Sequence, residues 1–325
     1  MPGSYPAEAM AVVLGELPDL PHLPELPGRG AGADITGRAA ALLVDMPVEI
    51  RPGGWKLADR PGRDQRRAAG MLSADLDAAQ EAAGDWEGPF KVQVCGPWTL
   101  AATLELPRSQ NPALSDPGAV NDLTTSLAEG IAAHLAQVRG RIPGATVLLQ
   151  LDEPALPAVL AGSVPTASGL NRVAEVDAAV AAAAVRSVLD AGAAFTVLHC
   201  CARGVPFGLM KQAGANAVGF DLSLLRGQDE DALAEVVEAG LGILAGVVQT
   251  SQLPSVPPGS PREAGSAVMD LWHRMGIPAR TLDRQVVLTP ACGLAAASLA
   301  GARAVLARCR EAARLLPELI EEGTP

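Results

Sequence analysis

The sequence predicts an α/β fold, a single (β/α)8 TIM barrel spanning residues 1–325, and three observations carry that prediction. Short apolar runs alternate with longer helical stretches on a regular beat, the pattern of βαβ units around a parallel sheet. Each candidate strand is almost continuously apolar, as strands buried on both faces are. Soft and ionisable residues gather at the ends of four of those strands, where a barrel keeps its chemistry. Apolar residues make up 49% of the chain and aromatics only 3%, so the core material is Ala, Val and Leu. No internal repeat or low-complexity linker divides the chain, which has ample apolar material for one large core.

Taken in order, the strand candidates are Ala41–Glu49, Phe90–Val94, Ala145–Leu151, Ala194–His199, Ala217–Asp221, Gly242–Val248 and Val286–Thr289. Between them the spacing predicts helices over Asp116–Arg139, Arg172–Ala191, Pro206–Ala213, Asp229–Ala239, Pro261–Met275 and Leu294–Leu316. An eighth strand is expected at the start: Met1–Pro6 reads as the exit of a first strand that is either very short or truncated, its body lying upstream. Residues 15–35, rich in Pro and Gly, read as an extended loop or a cover over one barrel end.

The net charge of −11 comes with no basic cluster, which excludes a nucleic-acid partner that would need a basic face. No apolar run reaches the roughly 20 residues of a membrane span, and Met1–Glu8 has no signal-peptide pattern, so a cytoplasmic location is expected. Five cysteines, Cys95, Cys200, Cys201, Cys292 and Cys309, are an odd number in a reducing compartment. Metal binding or plain burial are then the live alternatives to disulfides.

The strand ends hold the candidate chemistry. One strand ends in Leu151-Asp152-Glu153-Pro154, the next in His199-Cys200-Cys201, the next in Asp221, and the last in Pro290-Ala291-Cys292-Gly293. On an extended strand His199 and Cys201, two residues apart, face the barrel mouth together while Cys200 faces the helices. Imidazole and thiolate are ligands that zinc favours, and a catalytic zinc keeps one position open. Cys292 would add a second thiolate, and Asp221 could add a carboxylate oxygen or simply cap the next helix. Cys95 and Cys309 read as packing, as do His134 and His273.

Together these residues resemble the cobalamin-independent methionine synthase family, specifically its zinc-bearing C-terminal barrel in a short, single-barrel form. The resemblance rests on Gly3-Ser4-Tyr5-Pro6, Gln150-Leu151-Asp152-Glu153-Pro154-Ala155-Leu156, His199-Cys200-Cys201 and Pro290-Ala291-Cys292-Gly293-Leu294, with weaker support from Gly96-Pro97-Trp98-Thr99. It implies a barrel of the methionine synthase and uroporphyrinogen decarboxylase type. It also implies that zinc on His199, Cys201, Cys292 and, conditionally, Asp221 binds the sulfur of homocysteine as thiolate, which attacks a donor's methyl group. Asp152 would then hold the substrate ammonium and Ser4 its carboxylate, with Glu153 beside them or bracing a neighbour.

The chain departs from the family pattern: Pro157 and Ala158 stand where an acidic residue is expected after Asp-Glu-Pro-Ala-Leu, and two further departures bear on the chemistry. Asp221 stands where the family usually has Glu, and Val248-Gln249-Thr250-Ser251 stands where the family's proton-donating His is expected, so no catalytic residue is assigned. A missing general acid typically costs ~10²–10⁴-fold in rate. A methyl-corrinoid donor, on methylcobalamin or a corrinoid carrier protein, would not need that proton, whereas 5-methyltetrahydrofolate would. The sequence therefore supports a zinc-dependent methyltransferase acting on homocysteine or a similar small thiol. The alternative is a catalytically degenerate zinc- and thiol-binding barrel. A decarboxylase reading ranks last, because no Arg-rich N-terminal cradle is visible.

Overall fold

A computed structural model of the protein describes residues 1–250, 253 and 259–322. The N-terminal part runs α1 (Pro6–Glu16), α2 (Ile35–Leu42), β1 (Val48–Arg51), β2 (Gly54–Leu57) and α3 (Arg63–Ala83). The central part continues with β3 (Gly88–Cys95), α4 (Pro97–Thr103), α5 (Pro117–Arg141), β4 (Ala145–Asp152), α6 (Leu156–Leu160), α7 (Ala178–Leu189) and β5 (Phe195–Cys200). The last third holds α8 (Phe207–Gln212), β6 (Ala217–Asp221), α9 (Gly227–Glu238), β7 (Gly242–Val248), α10 (Pro261–Met275), α11 (Leu282–Gln285), β8 (Val286–Pro290) and α12 (Leu299–Glu322).

The strands β3 to β8 form one parallel sheet in sequence order, and β1 and β2 form a separate antiparallel hairpin. Six consecutive parallel strands with helical crossovers make a curled half-barrel. The described residues thus give the predicted α/β class, with six parallel strands in the barrel sheet instead of eight. At the β3 edge, a one-residue parallel bridge between His22 and Lys91 continues the ladder, with Leu23 N–H donating to the Lys91 carbonyl at 2.9 Å. Pro18, Pro21, Pro24 and Pro27 surround His22. Prolines have no N–H for a ladder, so the segment cannot lengthen into a full strand.

Ala41–Glu49 is a correction. Ala41 and Leu42 finish α2, whose first turn is capped by the Asp34 carboxylate accepting from Gly37 N–H. The chain then turns at Asp45, with a positive φ of 52°, and only Val48 and Glu49 enter a strand, in the hairpin. A short apolar run does not distinguish helix from strand by periodicity, and the N-cap decided it here. The helix Pro261–Met275 agrees with its prediction, held by a Ser260–Glu263 capping box and ended by left-handed Gly276. The Arg172–Ala191 prediction shrinks to α7, because Asp177 caps the helix later than the apolar pattern suggested.

The parallel register sorts the side chains of the sheet into two faces. Phe90, Val92, Val94, Leu149, Leu151, Leu198, Cys200, Val218, Phe220, Ile243 and Ala245 are buried in the main core. Lys91, Gln93, Cys95, Gln150, Asp152, Val197, His199, Ala217, Gly219 and Asp221 alternate with them on the inner face. Low on that face Val197, Ala217 and Leu244 make a small apolar cluster of their own. The strand ends above it are polar, so the sheet presents an apolar floor beneath a polar mouth. Among the described residues no helix is long and apolar enough to cross a membrane.

Candidate functional site

Two cysteines from strands three apart in the sheet meet at the mouth of the half-barrel. Cys201, just after β5, and Cys292, just after β8, place their sulfurs 3.6 Å apart. Cys292 is exposed and Cys201 half-buried. Their approach depends on β7, which lies beside β8. Ala291 N–H donates to the Val248 carbonyl at 2.9 Å, and a Cβ on Gly246 would lie 2.7 Å from Ala291 Cα. Gly246 therefore lets β8 close on β7 and bring Cys292 inward. The contact between the two thiols, with help from Gly293 N–H, holds Cys292 down to about 6, and the same contact with burial pushes Cys201 up.

His199 lies on the inner face two residues before Cys201, as the alternation predicted. Its Nδ1 is 3.0 Å from Asp152 Oδ1 on the neighbouring strand, its register partner. A carboxylate can only accept, so Nδ1 carries the hydrogen of this contact, and in the neutral imidazole the lone pair is on Nε2. On the other side its register partner is Gly219, where a Cβ would stand 3.0 Å from the imidazole Cδ2. The imidazole thus has a carboxylate on one side and a bare Cα on the other. Cys200 points away into the core, fully buried, with its thiol pushed up to about 11 by burial.

Asp221 ends β6, and its Oδ1 accepts from Ser223 N–H at 2.9 Å, from Ser223 Oγ at 2.8 Å and from Gln249 Nε2 at 2.8 Å. That carboxylate is capping its own turn, the other role its position suggested. Gln249, in the place of the expected histidine, donates to it; Ser251 lies outside the described residues. Ser4 is exposed in the turn before α1, beside the Pro27–Arg29 turn, since Gly28 approaches the Gly3 carbonyl.

Glu153 is fully buried. Its Oε1 accepts from Trp98 N–H at 2.9 Å, and its Oε2 from Thr99 N–H at 2.7 Å and Thr99 Oγ1 at 2.6 Å. Both oxygens are therefore committed to the first turn of α4, and Gly96 makes room for them, since a Cβ there would lie 2.4 Å from Oε1. Burial pushes Glu153 up to about 7 against those hydrogen bonds. This is the bracing position the sequence left open, and it explains the Gly96-Pro97-Trp98-Thr99 segment.

Sequence reasoning missed two charged neighbours of Asp152. Glu25, from the proline-rich cover, and Lys91, low on β3, both interact electrostatically with it. Burial raises Glu25 and lowers Lys91, and Arg38 Nε stands 3.2 Å from Glu25 Oε1. Arg38 and Arg29 in turn meet the buried Asp75 of α3, which ties the cover to the helical layer. A charged residue inside an apolar strand, as Lys91 is, was the available signal.

Zinc sets geometric demands that this donor set meets in part. Two thiolates on tetrahedral zinc, with bonds near 2.3 Å, sit about 3.8 Å apart, and the Cys201–Cys292 separation of 3.6 Å fits. His199, with Nδ1 on a carboxylate and Nε2 free, has the arrangement of a metal-ligating histidine. Yet among the described residues no three His, Cys, Asp or Glu side chains stand grouped as a metal site. The thiol pair and the imidazole each fit zinc chemistry, while the fold does not by itself gather them into a finished site.

Residues 112–315 match the family model described as the catalytic domain of cobalamin-independent synthase. Among solved structures, the chain is similar to a B12-independent methionine synthase from Shewanella sp. W3-18-1 in complex with selenomethionine. The TM-score is 0.54 at 12% identity, covering 76% of this chain and 67% of that one. No curated protein sequence matches the chain.

Proposed function

The chain belongs to the cobalamin-independent methionine synthase family, and from that premise we propose that it transfers a methyl group to the thiol of homocysteine or a similar small thiol with the help of zinc. The observation that carries this reading is the pair of sulfurs of Cys201 and Cys292, 3.6 Å apart at the sheet's mouth. Cys201, Cys292 and His199 would hold the ion, His199 through the nitrogen that Asp152 leaves free. When bound, zinc would keep the substrate sulfur deprotonated near neutral pH, and only the thiolate is a competent nucleophile. The family match and the fold of a neighbour that carries selenomethionine both support an amino-acid ligand.

The chain's own residues divide the remaining work. Asp152 holds His199 in one tautomer and offers its second oxygen to the substrate ammonium. Ser4 and the backbone beside it would take the carboxylate, and Glu25 adds negative charge on the ammonium side. Glu153 keeps α4 and the end of β4 in register, so that Asp152 is fixed in place. In the transfer the sulfur–carbon bond forms as the bond from methyl to the donor breaks, and the donor leaves with the electron pair. A tetrahydrofolate nitrogen would then need a proton, and Gln249 cannot supply one. A methyl-corrinoid donor, with or without a carrier protein, needs none and is favoured.

A specific observation supports a second reading, a zinc- and thiol-binding barrel that no longer transfers methyl groups. Asp221, the conditional fourth ligand, is engaged by Ser223 and Gln249. Zinc content, then methyl transfer to homocysteine from methyltetrahydrofolate and from methylcobalamin, separates the two. One zinc per chain with turnover from methylcobalamin is the expected result. Zinc without turnover from either donor would select the second reading, and absence of zinc binding would sink both.

A further inference from the structure

We infer that Gln150 is a positioning residue that commits one oxygen of Asp152 to His199 and so reserves the other for the ammonium of an amino-acid thiol. The inference rests on the homocysteine reading and adds a residue to it. Gln150 and Asp152 lie two apart on β4 and share the inner face. Gln150 Nε2 donates to Asp152 Oδ1 at 2.7 Å, and the same oxygen takes the His199 Nδ1 hydrogen at 3.0 Å. Both lone pairs of Oδ1 are then used. Oδ2 accepts nothing among the described residues.

The surroundings leave Gln150 little choice. Its register partner on β5 is Val197, which offers no hydrogen bond. Its partner on β3 is Gln93, whose own amide is spent, Nε2 donating to the Leu23 carbonyl at 2.7 Å and Oε1 accepting from Lys91 Nζ at 3.4 Å. The Gln150 amide therefore directs its N–H upward to Asp152. A carboxylate turns easily about its last torsion, which is broad and nearly two-fold. Without Gln150 the carboxylate could turn, and neither oxygen would be assigned to the imidazole or to an incoming ammonium. With it, both bonds form at once, and recognition of the amino group is coupled to the orientation of His199.

The test uses two variants of the full chain, Gln150→Met, which keeps the length and removes the donor, and Gln150→Glu, which keeps the length and replaces the donor with an acceptor. In metal-free protein, ¹⁵N–¹H spectra report the His199 tautomer: the wild type is expected to carry Nδ1–H, and both variants to move toward an averaged signal. In zinc-supplemented protein, calorimetry with homocysteine and with 4-sulfanylbutanoate, which lacks the amino group, reports the second oxygen. Gln150→Met should weaken homocysteine about tenfold, the size of one charge-assisted hydrogen bond, and leave 4-sulfanylbutanoate within about twofold. Unchanged His199 signals in both variants would overturn the inference, as would an equal loss for both thiols, which marks a packing role. If the wild type binds neither thiol, the homocysteine reading fails and the ammonium half falls with it, while the tautomer signal still decides the His199 half.

Discussion

The bare Cα of Gly219 is what gives the His199 imidazole its seat. A methyl group there would stand 3.0 Å from Cδ2, and the ring would have to move away from β6. Its contact with Asp152 is already at 3.0 Å, so the displacement falls on that bond. Gly219→Ala is expected to weaken zinc binding about 10- to 100-fold, the usual cost of disturbing the partner of a ligating histidine. Stability should change by about 1 kcal/mol. A competition titration against a chromogenic chelator, beside a thermal melt, checks both. Cys292→Ser should remove more: the exposed thiol supplies half of the sulfur pair, and zinc stoichiometry is expected to fall well below one per chain. Cys309→Ser, buried on α12 away from the mouth, is the control and should keep the full zinc content. The placement of His199, Cys201 and Cys292 at the sheet's mouth was legible in the sequence because each is a soft or ionisable side chain at a strand end. Glu25 was not, because its approach to Asp152 depends on how a proline-rich loop crosses the sheet, which no local pattern encodes.

At the scale of elements, Glu153 joins the end of β4 to the start of α4. Three donors converge on its carboxylate, yet burial raises it from the ordinary 4.5 to about 7. The folded chain therefore keeps this proton at pH values where the unfolded chain has lost it. Its contribution to stability is fully present below pH 4.5 and is lost as pH rises toward 7. The size of that loss is about 3 kcal/mol by linkage. Denaturant unfolding of the wild type and of Glu153→Gln at pH 5 and pH 8 measures it. The wild type should lose stability relative to the variant across that interval, and parallel curves would show that Glu153 titrates normally. The amide should be the less stable of the two at low pH, since its NH2 would face the Trp98 N–H. The Asp-Glu-Pro-Ala-Leu motif was readable as a strand end. Its division of labour was not, because which carboxylate faces the mouth and which faces α4 depends on the alternation of β4 and on Gly96 leaving room. The hairpin β1–β2 was missed for a related reason: the helix cap at Asp34 lies outside the apolar run that suggested a strand.

Across the whole molecule, the proposed ligands come from β5 and β8, and β6 and β7 lie between them in the sheet. The parallel order from β3 to β8 was legible because each strand is a continuous apolar run flanked by helical periodicity. The bridge at the β3 edge was not, because His22 contributes a single pairing inside a run of prolines. A sheet of six strands has two edges, and its curl is held by what spans it. An ion bound by Cys201 and Cys292 would tie the fifth strand to the eighth across the mouth and bind only the folded chain. Stabilisation by such a ligand is about 4 kcal/mol when free zinc is a thousandfold above its dissociation constant. For a chain of this size each kcal/mol is worth roughly 2 °C or more in melting temperature. Zinc is therefore expected to raise the melting temperature by about 5–10 °C over EDTA-treated protein, and Cys292→Ser or Cys201→Ser to abolish the shift. Hydrogen exchange should locate the gain in β5 through β8, with the β1–β2 hairpin unchanged. A zinc-dependent shift that survives both cysteine substitutions would place the ion elsewhere and remove the central support of the methyltransferase reading.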